Sequence, residues 1–147
     1  MNLPRQLCTF YLDGLYWGIE VTRVQEVIRY QEMTRVPLAP PHVRGLINLR
    51  GQIVTAIEMR TRLGLSPRQE NNLPMNVVVR SDDGGISLLV DEIGDVVEVS
   101  DATFEPAPAT VQVSSRELLR GVYKLDKKLL LQLDADRLLE PSRGVGS

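Results

Sequence analysis

Side chains that could support catalysis are few in this chain of 147 residues. His42 is its only histidine and lies in a proline-rich stretch, and Cys8 is its only cysteine. A lone histidine cannot form a catalytic dyad or a multi-histidine metal site, so we expect His42 to be an ordinary loop residue. Cys8 lies in a predicted strand without a histidine near it in sequence, which favours a buried, unreactive thiol.

Carboxylates between residues 82 and 98 form the one group dense enough to suggest an enzyme. They are Asp82, Asp83, Asp91, Glu92, Asp95 and Glu98. Paired carboxylates could serve a small hydrolase or bind a divalent cation. However, the first two precede a Gly-Gly pair, where turn formation alone explains aspartate. We therefore expect solvated turn and edge charges, and we keep a small hydrolase or metal-dependent enzyme using these carboxylates as the alternative.

The sequence also lacks the common nucleotide-binding and nucleophile motifs, such as a phosphate-binding loop or a G-x-S-x-G elbow. Its net charge of −2 and its 5% aromatic content argue against a nucleic-acid partner. No apolar run approaches the roughly 20 residues of a membrane helix, and no signal peptide is evident, so direct membrane insertion is not expected. A single cysteine fits a reducing compartment. We expect a cytoplasmic protein.

The elements that must position any site recur along the chain. Residues 45–63 and 121–139 align without a gap, each with a glycine, two apolar runs around a polar turn, and a final leucine. A matched hairpin precedes each copy, and such fixed-period similarity predicts two similar small units. Gly45 and Gly121 open the two copies, and we expect each to need a conformation or a close approach that a side chain would prevent.

Many short strands separated by turn signals are typical of small barrels or sandwiches. We expect an all-β fold of two SH3-like five-stranded β-barrel subdomains with a few short helices, one of them at Thr22–Val27. The single domain should span residues 6–140. Its first barrel should cover 13–66 and its second 75–140, with strand 6–12 belonging to either, and 141–147 should form a flexible tail.

Two features are candidates for contact with a partner. Arg50 lies at a hairpin apex where Gly51 already supplies the positive φ of the turn, so folding does not require a long cation there. Arginine is favoured at interfaces because its planar fork pairs with carboxylates. A solubilising role and a partner-binding role both stay open for Arg50. The apolar stripe Val21, Val24, Val27 and Ile28 is more typical of a core than of a binding surface.

Five stretches, in order along the chain, resemble the CheW-like family. Residues 45–54 resemble its G-x-x-N-L-R-G-x-I-x-P signature, and residues 16–28 its Y-G-I-x-I…V-x-E-I stretch. Residues 90–96 resemble its V-D-x-V-x-x-V segment, 104–108 its (I/F)-x-P-x-P segment and 119–121 its L-x-G. Each motif alone is weak, but five in order over nearly the whole chain are specific.

The resemblance implies a chemotaxis coupling protein without catalytic residues or cofactors. Such a protein is a scaffold that docks the regulatory domain of the histidine kinase CheA to the cytoplasmic tips of chemoreceptors in a signalling array. In and beside the matching stretches, the implied partner-binding residues are Val21, Val24, Glu26, Val27, Gly45, Asn48 and Arg50.

The chain departs from the family pattern at two places. Thr55 stands where the family usually has proline, and Glu58-Met59 stand where it often has Asp-Leu. The departure leaves two alternatives within the family open. One is a coupling protein of a pilus or surface-sensing pathway, and the other is an excised regulatory domain of CheA or CheV.

Overall fold

The computed structural model describes residues 5–69, 71–81, 84–107 and 116–139, and most of them lie in strands. The strands are β1 (Arg5–Leu12), β2 (Leu15–Glu20), β3 (Val24–Ile28), β4 (Val43–Leu49), β5 (Gln52–Glu58), β6 (Met75–Ser81), β7 (Gly84–Val90), β8 (Glu92–Val99), β9 (Phe104–Glu105), β10 (Leu119–Leu125) and β11 (Lys128–Leu133). The helices are α1 (Met59–Arg62), α2 (Ala135–Leu139) and two 3-10 turns, Val21–Arg23 and Asp101–Thr103. This confirms the expected mainly-β class with few short helices. Within the described ranges, no helix is long and apolar enough to span a membrane.

The strands form a six-stranded sheet in the order β8-β1-β2-β11-β10-β9 and a five-stranded sheet in the order β3-β6-β7-β5-β4. Each sheet joins two antiparallel hairpins through one parallel pair. Strand β2 runs parallel to β11 in the first sheet, and β5 runs parallel to β7 in the second.

The two sheets do not follow the expected subdomain boundaries 13–66 and 75–140. The β1–β2 hairpin lies in the same sheet as β8–β11, and the β6–β7 hairpin lies in the same sheet as β3–β5. The repeated halves have therefore exchanged their first hairpins. The repeat identified which hairpins are equivalent, but an equivalent hairpin can pair with either copy, so the exchange was not visible in the sequence.

The chain links the outermost strands of each sheet. After β3 it reaches Thr34, whose N–H donates to the carbonyl of Leu46 in β4 at 2.9 Å, and the N–H of Leu46 donates back at 2.8 Å. After β8 the chain passes through a 3-10 turn into β9, which pairs with β10. Each sheet thus has the edge-to-edge connection that a small barrel requires.

A glycine permits each closing contact. A Cβ built on Gly45 would lie 2.7 Å from the carbonyl oxygen of Thr34, and one built on Gly121 would lie 2.7 Å from that of Glu105. Both distances are shorter than Cβ atoms tolerate. The nearest obstructing atom at Gly45 is backbone, whereas at Gly121 the ring of Phe104 lies closer still than the Glu105 carbonyl. The expectation that Gly45 needs a close approach is confirmed, and Gly121 shows the same constraint.

One hydrophobic cluster spans both sheets. It includes Phe10 and Trp17 of the β1–β2 hairpin together with Val79 and Leu88 of the β6–β7 hairpin, all almost completely buried. Burial of such side chains stabilises the fold by about 1.5–3 kcal/mol each. The exchanged hairpins therefore share a core, and the two sheets are held as one unit.

Buried ion pairs also connect the sheets. Asp91, between β7 and β8, accepts hydrogen bonds from Arg60 Nη2 at 2.7 Å, from Arg68 Nη1, and from the backbone N–H of Asp13 at 2.9 Å. Arg68 also donates from Nη2 to Glu58 Oε1 at 2.7 Å, and the side chains of this second pair are 10% and 8% exposed. The cluster fastens the segment after α1 to both sheets.

These contacts control the ionisation of Asp91. Burial alone raises the pKa of this carboxyl group. Hydrogen bonds from Arg60 and from the Asp13 backbone, together with the charges of Arg68 and Arg60, outweigh burial and hold the pKa of Asp91 below its ordinary value. Asp91 is therefore a structural anion and not a candidate acid or base.

We predict that Gly45→Ala destabilises the protein by about 1–3 kcal/mol, because its Cβ would press against the Thr34 backbone. Gly85→Ala is the matched control, since a Cβ there would meet its nearest neighbours at 3.6–3.7 Å, an ordinary contact distance. Urea unfolding of both variants measures the difference. Equal stability of the two variants would contradict the closing role of Gly45.

We predict that Asp91→Asn costs about 2 kcal/mol at neutral pH, below the roughly 3–5 kcal/mol of a fully buried pair, because Asp91 keeps 20% side-chain exposure. The folded pKa of Asp91 lies below its unfolded value. Its contribution is therefore complete above the unfolded pKa and is lost as pH falls through the folded pKa.

The stability gap between the parent chain and Asp91→Asn should therefore be constant from pH 7 to about pH 5 and shrink below about pH 4. Denaturant unfolding across this range measures it. The adjacent exposed Glu92→Gln serves as control and should show no comparable loss at neutral pH. A gap that widens in acid would contradict the assignment.

Candidate partner-binding surface

The residues implied for partner binding converge on one region of the five-stranded sheet. Val21 lies in the 3-10 turn before β3, and Val24, Glu26 and Val27 lie in β3 itself. Asn48 lies in β4, and Arg50 lies in the turn that joins β4 to β5. We call these six residues the β3–β4 surface.

The expected helix at Thr22–Val27 is wrong. Only Val21–Arg23 form a 3-10 turn, and Val24 already begins a strand that pairs with Val79 of β6. The register shifts between Val24 and Glu26, which marks a β-bulge. An extra residue in a strand breaks the alternation of inward and outward side chains, so apolar residues acquire helix-like spacing.

The bulge also divides the apolar stripe. Val24 is partly buried and packs against the main hydrophobic cluster, whereas Val27 remains 37% exposed. The core interpretation therefore suits Val24. Val27 contributes an outward apolar side chain beside Glu26.

Glu26 and Arg50 form a two-point ion pair between β3 and the β4–β5 turn. Arg50 Nη1 donates to Glu26 Oε2 at 2.7 Å, and Nη2 donates to Oε1 at 2.8 Å. The Arg50 side chain is 77% exposed, whereas that of Glu26 is only 16% exposed. The hydrogen bond from Arg50 is the largest cause that lowers the pKa of Glu26. The pair thus presents an outward cation whose orientation a carboxylate fixes.

The backbone of Arg50 is itself unusual. Its φ is +51° and that of Gly51 is +85°, so both turn residues occupy the left-handed region. We expected Gly51 alone to supply this conformation. A bulky side chain is disfavoured at such an angle, whereas asparagine or glycine is suited to it. The side-chain interaction that arginine adds at this position is the ion pair with Glu26.

Two of the implied residues have structural roles. Asn48 Oδ1 accepts the N–H of Gly51 at 3.0 Å and thereby holds the turn. Gly45 is buried against Met33 and Thr34, so it bears on the surface only by placing β4.

Residues of β6 and β7 that the sequence did not single out fix the position of β3. Arg80 Nη1 donates to the carbonyls of Thr22 at 3.0 Å and Val24 at 2.8 Å. Asn76 Nδ2 donates to the carbonyl of Arg29 at 2.9 Å, and Ser87 Oγ donates to Asn76 Oδ1 at 2.7 Å. The sequence signal that could have revealed Asn76 and Ser87 is the presence of polar residues within largely apolar strands.

The carboxylates of the enzyme alternative do not converge. Asp91 is engaged by two arginines, and Asp95 and Glu98 are exposed on β8. Asp82 and Asp83 lie outside the described residues. Within the described part of the chain, no group of three or more histidine, cysteine or acidic residues could hold a metal ion.

The pKa shifts of His42 and Cys8 do not favour catalysis. Burial, followed by the charge of Arg62, lowers the pKa of His42 and favours its neutral form. Burial raises the pKa of the Cys8 thiol, which disfavours the nucleophilic thiolate.

The chain matches the family model described as "CheW-like domain" over residues 6–142. It is 30% identical over 135 residues to the chemotaxis protein CheW of Bacillus subtilis, covering 92% of this chain and 86% of that protein. It is 27% identical over 138 residues to the chemotaxis protein CheW of Klebsiella aerogenes, covering 94% and 83%.

The fold has a solved counterpart. A crystal structure of the scaffolding protein TtCheW from Thermoanaerobacter tengcongensis superposes with a TM-score of 0.80 at 26% identity, covering 90% of each chain. The likeness therefore covers most of the fold.

We predict that Arg50→Gln raises the pKa of Glu26 towards its ordinary value, because it weakens the hydrogen bond that chiefly lowers it. Carboxyl carbon shifts followed by NMR through acid titration measure this pKa. Arg23→Gln is the control, since Arg23 Nη1 pairs with Asp136 at 2.7 Å. An unchanged Glu26 pKa in Arg50→Gln would show that the pair does not persist in solution.

Proposed function

Because this chain belongs to the CheW-like family and is a non-catalytic chemotaxis coupling scaffold, we propose that it joins the histidine kinase CheA to the cytoplasmic tips of chemoreceptors. The observation that supports this role is the β3–β4 surface. There, an exposed arginine with a left-handed backbone angle pairs through its side chain with a carboxylate on β3, at the opposite end of the sheet order.

The coupling mechanism would be geometric. A receptor helix offers an apolar stripe, and the five-stranded sheet offers exposed apolar side chains together with the Glu26–Arg50 pair. Val27 and Ile53, which are 37% and 56% exposed, supply apolar area near this pair. The charged groups would set register and partner choice more than affinity.

The kinase would be bound through like-to-like contact. The family is expected to include the regulatory domain of CheA, so an edge of one sheet would meet the homologous sheet of the kinase. The scaffold would then act in the cytoplasm, at membrane-associated receptor arrays, without inserting into the membrane. The same docking chemistry would serve a pilus or surface-sensing pathway.

We predict that Arg50→Ala weakens binding to the kinase regulatory domain or to a receptor cytoplasmic hairpin by roughly thirtyfold, the usual effect of truncating a central interface arginine. The melting temperature of this variant should change little, because the Arg50 side chain is mostly exposed and its truncation removes no core contact. Titration calorimetry against each partner and thermal melts measure the two effects.

Lys124→Ala is the matched control for that titration. Lys124 is an exposed cation with its own carboxylate partner, Glu105, at 3.0 Å, but it lies on the six-stranded sheet. Its truncation should leave affinity for both partners within about twofold. Unaltered affinity of Arg50→Ala for both partners would refute the interface role, and a large fall in melting temperature would make Arg50 a structural residue instead.

A further inference from the structure

A second surface lies at the other end of β4 from Arg50. The segment between β3 and β4, together with the first two residues of β4, lines an open groove of about 820 Å³. Tyr30, Met33 and Val43 form part of its apolar lining. The resemblance to known coupling proteins did not single out this loop, and none of the six residues of the β3–β4 surface lines the groove.

Leu38 is displayed in this groove at a conformational cost. Its side chain is fully exposed, with a relative accessibility of 104%, and its φ is +63°. A branched apolar side chain is disfavoured in the left-handed region, where glycine or asparagine is usual. Neither core packing nor turn geometry accounts for a leucine at this position.

The loop is stiff as well as exposed. Pro37 precedes Leu38, and Pro40 and Pro41 follow it closely. The N–H of Val43 donates to the carbonyl of Pro40 at 2.9 Å, which holds the turn into β4. Because proline restricts the backbone beforehand, a ligand bound here would order little additional chain.

The groove is basic. Arg35 and Arg44 line it, and among the described residues neither has an ion pair or a side-chain hydrogen bond. The carboxylate of the loop, Glu32, does not line the groove and forms no ion pair with either arginine. Each guanidinium therefore keeps its donors available for a carboxylate.

We propose that this groove is a docking site for a partner protein segment that places an apolar side chain between flanking carboxylates. Leu38 and the apolar lining would contact the central side chain, and Arg35 and Arg44 would bind the carboxylates. A concave groove receives a side chain, whereas a membrane contact would need a larger protruding apolar wedge than one leucine. The site is independent of the β3–β4 surface and gives the scaffold a second binding face.

The test uses a capped hexapeptide with leucine and phenylalanine at its centre and two glutamates on each side, followed by NMR titration of the full chain. We expect saturable shifts confined to residues 30–44 and a loss of binding as salt rises. A peptide with glutamine in place of every glutamate should bind at least about tenfold more weakly.

Leu38→Gly separates docking from folding. Glycine suits a φ of +63°, so this variant should melt at the same or a higher temperature. It should nevertheless bind the acidic peptide at least about tenfold more weakly. Leu73→Ala is the control, because Leu73 is an exposed leucine (64%) that does not line the groove. The affinity of this variant for the acidic peptide should stay within about twofold of the parent chain.

Arg35→Gln with Arg44→Gln provides a second variant that leaves the Leu38 backbone untouched, and it should weaken binding and flatten the salt dependence. The absence of saturable shifts would overturn the proposal, as would unchanged affinity in both groove variants. Binding to vesicles containing phosphatidylserine, lost in Leu38→Gly while the peptide fails to bind, would overturn it in favour of a membrane contact.

Discussion

The approach of one backbone carbonyl to one glycine is the constraint on which the geometry of the β3–β4 surface depends. A Cβ at position 45 would lie only 2.7 Å from the carbonyl oxygen of Thr34, so this position requires glycine. This contact closes the five-stranded sheet and brings the extension of β3 against β4. With these edges linked, Glu26 of β3 reaches Arg50 beyond β4. Gly121 permits a similarly close approach between the adjacent strands β10 and β9 of the other sheet.

Exchange of hairpins explains how two small closed sheets act as a single scaffold. Each sheet contains one hairpin from the other half of the chain, so separating the sheets would expose the shared apolar cluster. The ion pairs around Asp91 add a polar connection between the β1–β2 turn, α1 and the segment that follows it. The shared core therefore fixes the arrangement of the two sheets.

The sequence predicted the β class and the repeated glycine hairpins, and its family resemblance implied seven partner-binding residues, whose role stays a prediction. It did not predict the pairing of β2 with β11, because hydrophobic alternation specifies which face of a strand is buried and not its neighbour. The bulge after Val24 imitated helical spacing. Asp91 looked like an edge charge because its partners Arg60 and Arg68 lie 31 and 23 residues away in sequence. The positive φ of Arg50 was not predicted, because the adjacent Gly51 already accounted for a left-handed residue in the turn.

Docking through the β3–β4 surface is the central claim, and hydrogen–deuterium exchange of the chain with and without its partners tests it most directly. Adding the CheA regulatory domain or a receptor cytoplasmic hairpin should slow exchange in residues 21–27 and 49–52. The β10–β11 turn at 125–128, on the other sheet, should exchange at the same rate throughout. Protection of that turn with no change at 21–27 and 49–52 would contradict the claim.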